Sequence, residues 1–280
     1  ALKKKILIVG ASGYVGSFIY NKLNNNENFD LYGTFCKNKK RGLIKFDYTQ
    51  NYNFDEIFNF YPDVIIWAAG EKNLKKTEEK LSYSEEENLK PLKRFFQSAN
   101  LNRNLKFIYF STDYVFDGTK GNYSIYDIPK PISNYGISKL NSENFLIQQD
   151  INLHIIRAGA IIGEDSVFFQ WLINAIKKSD KLTLYDNYFT PTPIINLINL
   201  INDLLSGKVQ DKLIHVTGDE KLTRFELGEI ILQTIGSRST LIKESYLNAE
   251  LKFFKDLSLL SSYNSKNNLK TSDFITKLIA

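Results

Sequence analysis

The sequence predicts an α/β protein, a doubly wound parallel sheet wrapped by helices and followed by a smaller mixed α/β region. Three observations predict it. Short apolar runs alternate with longer amphipathic stretches through the first half, the rhythm of strand–helix–strand units. The run Ile6-Leu7-Ile8-Val9 leads straight into Gly10-Ala11-Ser12-Gly13-Tyr14-Val15-Gly16, a strand followed by a glycine-rich turn and a helix. After about Gly159 the rhythm changes, and no second glycine fingerprint occurs.

Taken in order, the apolar runs place strands at 5–9, 31–35, 43–46, 64–68, 107–111 and 154–157. Helices are expected between them at 15–23, 54–60, 79–99 and 135–149, with Pro91 kinking the third or delaying its start. Beyond residue 160, helices are expected at 167–178, 195–205 and 225–235, with short strands at 182–185 and 213–216. Thr223-Arg224-Phe225-Glu226 fits a capping box at the start of the last helix. Asn264–Asn268 reads as a surface turn. The division this suggests is 1–160 as a dinucleotide-binding part and 161–280 as a substrate region, with some crossing of the chain back to the sheet.

Composition narrows the class. At 280 residues, 43% apolar and 14% aromatic, the chain can bury a large core. Its longest apolar runs, such as Val64-Ile65-Ile66-Trp67-Ala68-Ala69, are too short to span a bilayer. Lys3-Lys4-Lys5 runs directly into a strand, unlike a secretory signal, so a soluble cytoplasmic protein is expected. The net charge of +5 comes from lysines scattered among acids, which argues against a nucleic-acid surface. One cysteine, Cys36, excludes an intrachain disulfide and a cysteine-rich zinc site, and no metal is expected.

The chemistry sits in a few segments. Gly10, Gly13 and Gly16 are spaced G-x-x-G-x-x-G, where a turn into a helix N-terminus can receive a pyrophosphate. The second strand ends in Thr34-Phe35-Cys36-Lys37-Asn38-Lys39-Lys40-Arg41, with four cations and no carboxylate. A dinucleotide fold that prefers NAD usually holds the ribose 2′-hydroxyl with an acid there, so NADPH is expected over NADH, with Lys37 at the 2′-phosphate. Asp47, closing the third strand, either faces the adenine or is a turn carboxylate. Ser12, Tyr14, Val15, Ala68, Ala69 and Gly70 complete the expected cofactor set.

Tyr135-Gly136-Ile137-Ser138-Lys139 puts a phenol and an ammonium on one helical face, one turn apart. A lysine beside a tyrosine favours phenolate and lowers its pKa from about 10, which suits proton transfer near neutral pH. Thr112, at the end of a strand, is placed to hydrogen-bond the reacting oxygen while Tyr135 moves the proton. Tyr135 and Lys139 also belong to the expected cofactor set. His154 and His215 lie in apolar strands and read as packed side chains. No G-x-S-x-G elbow and no G-x-x-x-x-G-K-[ST] loop occurs.

With these residues assembled, the chain resembles the extended short-chain dehydrogenase/reductases with a Rossmann-like fold, and within them the dTDP-4-dehydrorhamnose reductase branch. Phe110-Ser111-Thr112-Asp113-Tyr114-Val115-Phe116-Asp117-Gly118 carries the resemblance, with Pro129-Lys130-Pro131 and Asp186-Asn187-Tyr188-Phe189-Thr190-Pro191-Thr192 in support. It implies NADPH-dependent reduction of the 4-keto group of a nucleotide-linked 6-deoxyhexose, in surface-polysaccharide sugar biosynthesis. It also implies that Lys139 binds the nicotinamide ribose, that Asp113 and Tyr114 lie near the sugar, and that Asn88 packs beneath the site. Ala160 stands where that branch commonly carries a tryptophan, and Lys255-Asp256 where it carries Arg-Pro. Two alternatives stay open: a sugar-nucleotide 4-epimerase, and a non-catalytic NADP(H)-binding regulatory subunit such as the one similar to this branch in methionine adenosyltransferase. The partner expected is a nucleotide-sugar substrate, with no nucleic acid and no membrane, and the assembly expected, if any, is a homodimer.

Overall fold

In the computed structural model, residues 2–47, 50, 59–98, 101, 104–249 and 254–279 are described. They form two compact units. The first comprises residues 1–115, 131–156 and 211–213, and the second 116–130, 157–210 and 214–280.

The first unit opens with β1 (Lys4–Val9), α1 (Tyr14–Leu23), β2 (Phe29–Phe35), β3 (Ile44–Lys45) and β4 (Val64–Trp67). Three short helices follow, α2 (Leu74–Glu79), α3 (Leu81–Asn88) and α4 (Lys90–Ser98), then β5 (Lys106–Thr112), α5 (Asn134–Ile147) and β6 (Asn152–Ala158). The sheet order is β3-β2-β1-β4-β5-β6, with Leu213–Val216 beyond β6, so the fold is Rossmann-like. Strands β1 to β5 pair in parallel. Both faces are covered, which is why Ile6, Leu7, Ile8 and Val9 are all buried instead of alternating. Beneath one face Trp67 meets Phe95 edge-on at 5.4 Å and stacks on Phe107 at 6.1 Å, with Leu92, Leu146 and Ile155 in the same core.

The expected helix at 79–99 is instead α3 and α4, with α2 before them. Lys80 is extended (φ −152°, ψ 133°) and separates α2 from α3. Pro91 lies in the first turn of α4, where a missing N–H breaks no intrahelical bond. It starts a helix instead of kinking one. The expected helix at 54–60 falls mostly outside the described residues.

The second unit contains β7 (Ile161–Ile162), α6 (Val167–Lys178), β8 (Lys181–Tyr185), β9 (Tyr188–Phe189), β10 (Thr192–Pro193), α7 (Ile194–Ser206) and β11 (Leu213–Val216). It continues with β12 (Leu222–Thr223), α8 (Arg224–Ile235), β13 (Thr240–Glu244) and α9 (Thr271–Ile279). Strands β8 and β13 pair in parallel over five residues, which sequence reading missed because 240–244 is mostly polar and half-exposed. The capping box forms as expected: Thr223 Oγ1 accepts from Glu226 N at 3.0 Å, and Glu226 accepts from Thr223 N at 2.7 Å. His154 and His215 are both buried. Among the described residues no helix is long and apolar enough to cross a membrane.

The turn between β1 and α1 is built on close backbone approach. Gly10 takes φ +85°, and a Cβ at Gly16 would lie 2.2 Å from the Gly10 carbonyl oxygen. Gly16→Ala is therefore expected to destabilise the protein by about 1–3 kcal/mol through overpacking. Denaturant titration checks this, and an unchanged midpoint would mean that the turn has slack.

Candidate active site

The sheet order reverses between β1 and β4, and a cleft of about 340 Å³ opens at their carboxyl ends. Gly10, Ser12, Gly13 and Tyr14 form its floor. Helix α1 begins at Gly13 with no side-chain cap and no acid in its first turn, so its positive end meets the cleft unneutralised. Ala68, Ala69 and Gly70 form the facing wall, and a Cβ on Gly10 would lie 2.8 Å from Ala69 N. Thr34 Oγ1 accepts from Gly10 N at 3.1 Å, tying the end of β2 to the turn. Lys37 lines the cleft just beyond that end. Val15 and Gly16 are buried behind the turn and support it.

Asp47 is occupied by a neighbour: the Cys36 thiol donates to its Oδ1 at 3.4 Å. Burial and then Asp47 push that thiol up to about 11, which leaves Cys36 unreactive. Cys36, Asn38, Glu71, Lys72 and Glu87 also line the cleft, and none was expected from sequence. For Lys72 the signal was available, since it follows Gly70 at the end of a central strand. Glu87 comes from α3, and its burial holds its carboxyl above the usual range against the pull of Lys37.

Thr112, Tyr135 and Lys139 are brought together at the end of β5. Ser133 caps α5 by accepting from Gly136 N at 3.0 Å. Gly136 lets the helix press on the turn after β5, since a Cβ there would lie 2.0 Å from the Tyr114 carbonyl oxygen. Tyr135 thereby reaches the Thr112 hydroxyl, and the Tyr114 ring meets it edge-on at 5.7 Å. Thr112 donates to Asp113 Oδ1 at 3.0 Å and accepts from Tyr114 N at 3.2 Å, so Asp113 and Tyr114 flank the trio. Lys139 is buried, donates to the Phe110 carbonyl and lies 4.2 Å from the Tyr109 ring centroid.

The electrostatics correct one expectation. The Tyr135 phenol is held above its ordinary value, because burial and the nearby Asp113 carboxylate outweigh the Thr112 hydrogen bond. The shift falls on the lysine. Burial, and after it the charge of Lys72, pushes Lys139 down to about 7, with Glu143 opposing. A phenol that keeps its proton is suited to act as an acid.

The trio is braced from behind. Ser138 Oγ lies 2.8 Å from Ser84 Oγ and donates to the Tyr135 carbonyl at 2.9 Å. Asn88 packs beneath, donating to Ser138 Oγ at 3.4 Å and to the Glu71 carbonyl at 3.3 Å. Buried Glu143 accepts from Ser111, next to Thr112. Ala160 lies in the second unit, where its carbonyl accepts from Thr192 N at 2.8 Å. In that unit Phe168 stacks with Trp171 at 6.4 Å, and the Arg224 guanidinium lies 5.0 Å from the Phe168 ring.

The family model described as RmlD substrate binding domain matches residues 4–251. A probable low-salt glycan biosynthesis reductase, Agl14 of Haloferax volcanii, is 35% identical over 153 residues, which are 52% of this chain. The chain spans about half the length of that relative, 51%. Methionine adenosyltransferase 2 subunit beta of Bos taurus is 26% identical over 243 residues, 80% of this chain and 70% of that protein. The structure of dTDP-4-dehydrorhamnose reductase from Bacillus anthracis, in complex with NADP, superposes with a TM-score of 0.85 at 21% identity and covers 99% of both chains.

The depressed Lys139 has a measurable consequence. Between pH 7 and 10.5 the unfolded chain holds a proton on Lys139 that the folded chain does not, so stability rises with pH across that window. Lys139→Met removes this dependence. The variant's stability advantage over the parent should be greatest below pH 7 and should shrink as pH approaches 10. Denaturant unfolding from pH 6 to 10 measures it, and a gap that does not change with pH would contradict the shift.

Proposed function

The chain belongs to the RmlD substrate-binding-domain family, and from that premise we propose that it is an NADPH-dependent reductase of the 4-keto group of a nucleotide-linked 6-deoxyhexose, serving surface-polysaccharide sugar biosynthesis. The observation that carries the reading is the meeting of Thr112, Tyr135 and Lys139 at the end of β5, in the same unit as a cleft floored by a glycine turn. The cleft suits a dinucleotide: its floor is a glycine turn packed so closely behind that no Cβ fits at Gly16, and the uncapped end of α1 suits a pyrophosphate. The similarity to the NADP-bound Bacillus protein and to the probable glycan reductase of Haloferax supports the same assignment.

When bound, the reduced nicotinamide supplies a hydride to the carbonyl carbon. Thr112 and Tyr135 hold the carbonyl oxygen through their hydroxyls, which stabilises the charge that develops there. Tyr135 delivers its proton to that oxygen, giving the alcohol. The Lys139 ammonium stabilises the phenolate left behind and holds the nicotinamide ribose. Asp113 and Tyr114 border the sugar.

The similarity to a methionine adenosyltransferase subunit over 80% of the chain supports a second reading, a regulatory subunit that binds NADP(H) without turnover. A panel of 4-keto sugar nucleotides differing in base and sugar substituents separates the two. Turnover of one or more is expected, with Tyr135→Phe losing at least about 10²-fold while its cofactor binding is kept. Cofactor binding with no turnover of any substrate would favour the regulator, and an active Tyr135→Phe would remove Tyr135 as the acid.

Lys37 lines the cleft without an acid on its own strand end, so NADPH is expected to bind more tightly than NADH. One charge-assisted contact to the 2′-phosphate is worth about 1.5–3 kcal/mol, and Lys37→Ala should erase most of the difference. Fluorescence titration with both cofactors checks this, and equal affinities in the parent protein would contradict it.

A further inference from the structure

Helix α5 carries a third functional group on its inner face. Tyr135, Lys139 and Glu143 stand at i, i+4 and i+8, so they form one stripe, with the Cβ atoms of neighbouring members about 5–6 Å apart. All three are buried, Lys139 at 5% and Glu143 at 1% exposure. Between them they grip three consecutive residues at the end of β5. Lys139 donates to the Phe110 carbonyl, Ser111 Oγ donates to Glu143 Oε1, and Tyr135 reaches the Thr112 hydroxyl. The Glu143 carboxylate is thereby anchored one helical turn from the ammonium.

A buried ammonium has lost its hydration, and an opposite charge a turn away restores part of that loss, because buried charges are weakly screened. The direct contacts of Lys139, the Phe110 carbonyl and the Tyr109 ring, carry no net charge. The elements packed against α5 bring other titratable groups. Glu78 of α2 accepts from Tyr135 N at 3.3 Å, Glu85 of α3 accepts from Asn141 Nδ2 at 3.1 Å, and Asp113 bears on Tyr135. On Lys139 itself Lys72 acts against the charge and Glu143 in its favour, the sense that the helical spacing gives. We propose that Glu143 is a positioning residue for the reduction, a fixed negative charge that keeps Lys139 an ammonium when Tyr135 gives up its proton. It acts through Lys139 and not on the reacting atoms. The inference rests on the reductase reading above and adds the group that sets the charge of its lysine.

Two substitutions in the whole chain separate charge from shape. Glu143→Gln keeps the volume and an acceptor for Ser111 but removes the charge, while Glu143→Asp keeps the charge on a shorter arm. Glu143→Met is the second uncharged variant should Glu143→Gln not fold, with the same outcome expected. The first readout needs neither cofactor nor turnover: denaturant unfolding from pH 5 to 10, each protein compared with its own Lys139→Met derivative. In the parent the stability gap stops growing below about pH 7. In Glu143→Gln it should go on growing for about one further pH unit, because the lysine gives up its proton more readily, and Glu143→Asp should follow the parent. The second readout is kcat against pH with NADPH and a 4-keto sugar nucleotide. Glu143→Gln should lose about tenfold at pH 9 and little at pH 5.5, and Glu143→Asp should keep the parent's profile. A stability gap that levels at the same pH in the parent and Glu143→Gln overturns the inference and leaves the reductase reading intact. A loss of kcat equal at every pH does the same, since it marks a merely structural role. A parent that turns over no 4-keto sugar nucleotide overturns the reductase reading and this inference with it.

Discussion

The docking of α5 against the turn that ends β5 is the contact on which the candidate site depends. It is possible because residue 136 has no side chain: with any Cβ there, the helix could not lie on the Tyr114 carbonyl. That one approach sets Tyr135 against Thr112 and places Lys139 over the Tyr109 ring. The opposite side of the helix is held by hydroxyl and amide contacts among Ser84, Asn88, Ser138 and Ser142, all buried. Polar groups packed in this way tolerate little displacement, because each broken hydrogen bond leaves a buried atom without a partner.

The same packing decides the electrostatics. A phenol and an ammonium one helical turn apart suggest a tyrosine tuned downward. In the folded chain both are buried, and burial disfavours whichever form is charged, so the phenol rises and the ammonium falls. The lysine also finds its nearest partners in a carbonyl and an aromatic face. Under the proposed reaction this suits a reductase, which needs a proton on the tyrosine before hydride transfer and a positive charge nearby after it.

The cleft carries a charge pattern richer than a basic patch. At the end near β2, Lys37 is opposed by Glu87 from α3, while Asp47 is engaged by Cys36. Lys72 also lines the cleft, and the Glu71 carboxylate beside it is committed to its own loop.

The sequence by itself determined the strands that are buried on both faces, the glycine turn after β1, the capping box of α8 and the identity of the Thr112, Tyr135 and Lys139 trio. These are legible because they depend on local periodicity, backbone conformation and spacing along one chain segment. Short strands such as 240–244 were not legible, since their pairing with β8 comes from the partner and not from their own apolar pattern. Between a kink and a helix start at Pro91, only the break at Leu89 decides for the start. The tertiary structure alone decided that Glu87 of α3 lines the cleft and that burial reverses the expected tuning of Tyr135. Both are matters of proximity between segments far apart in the chain, and desolvation exists only once those segments have closed around a group.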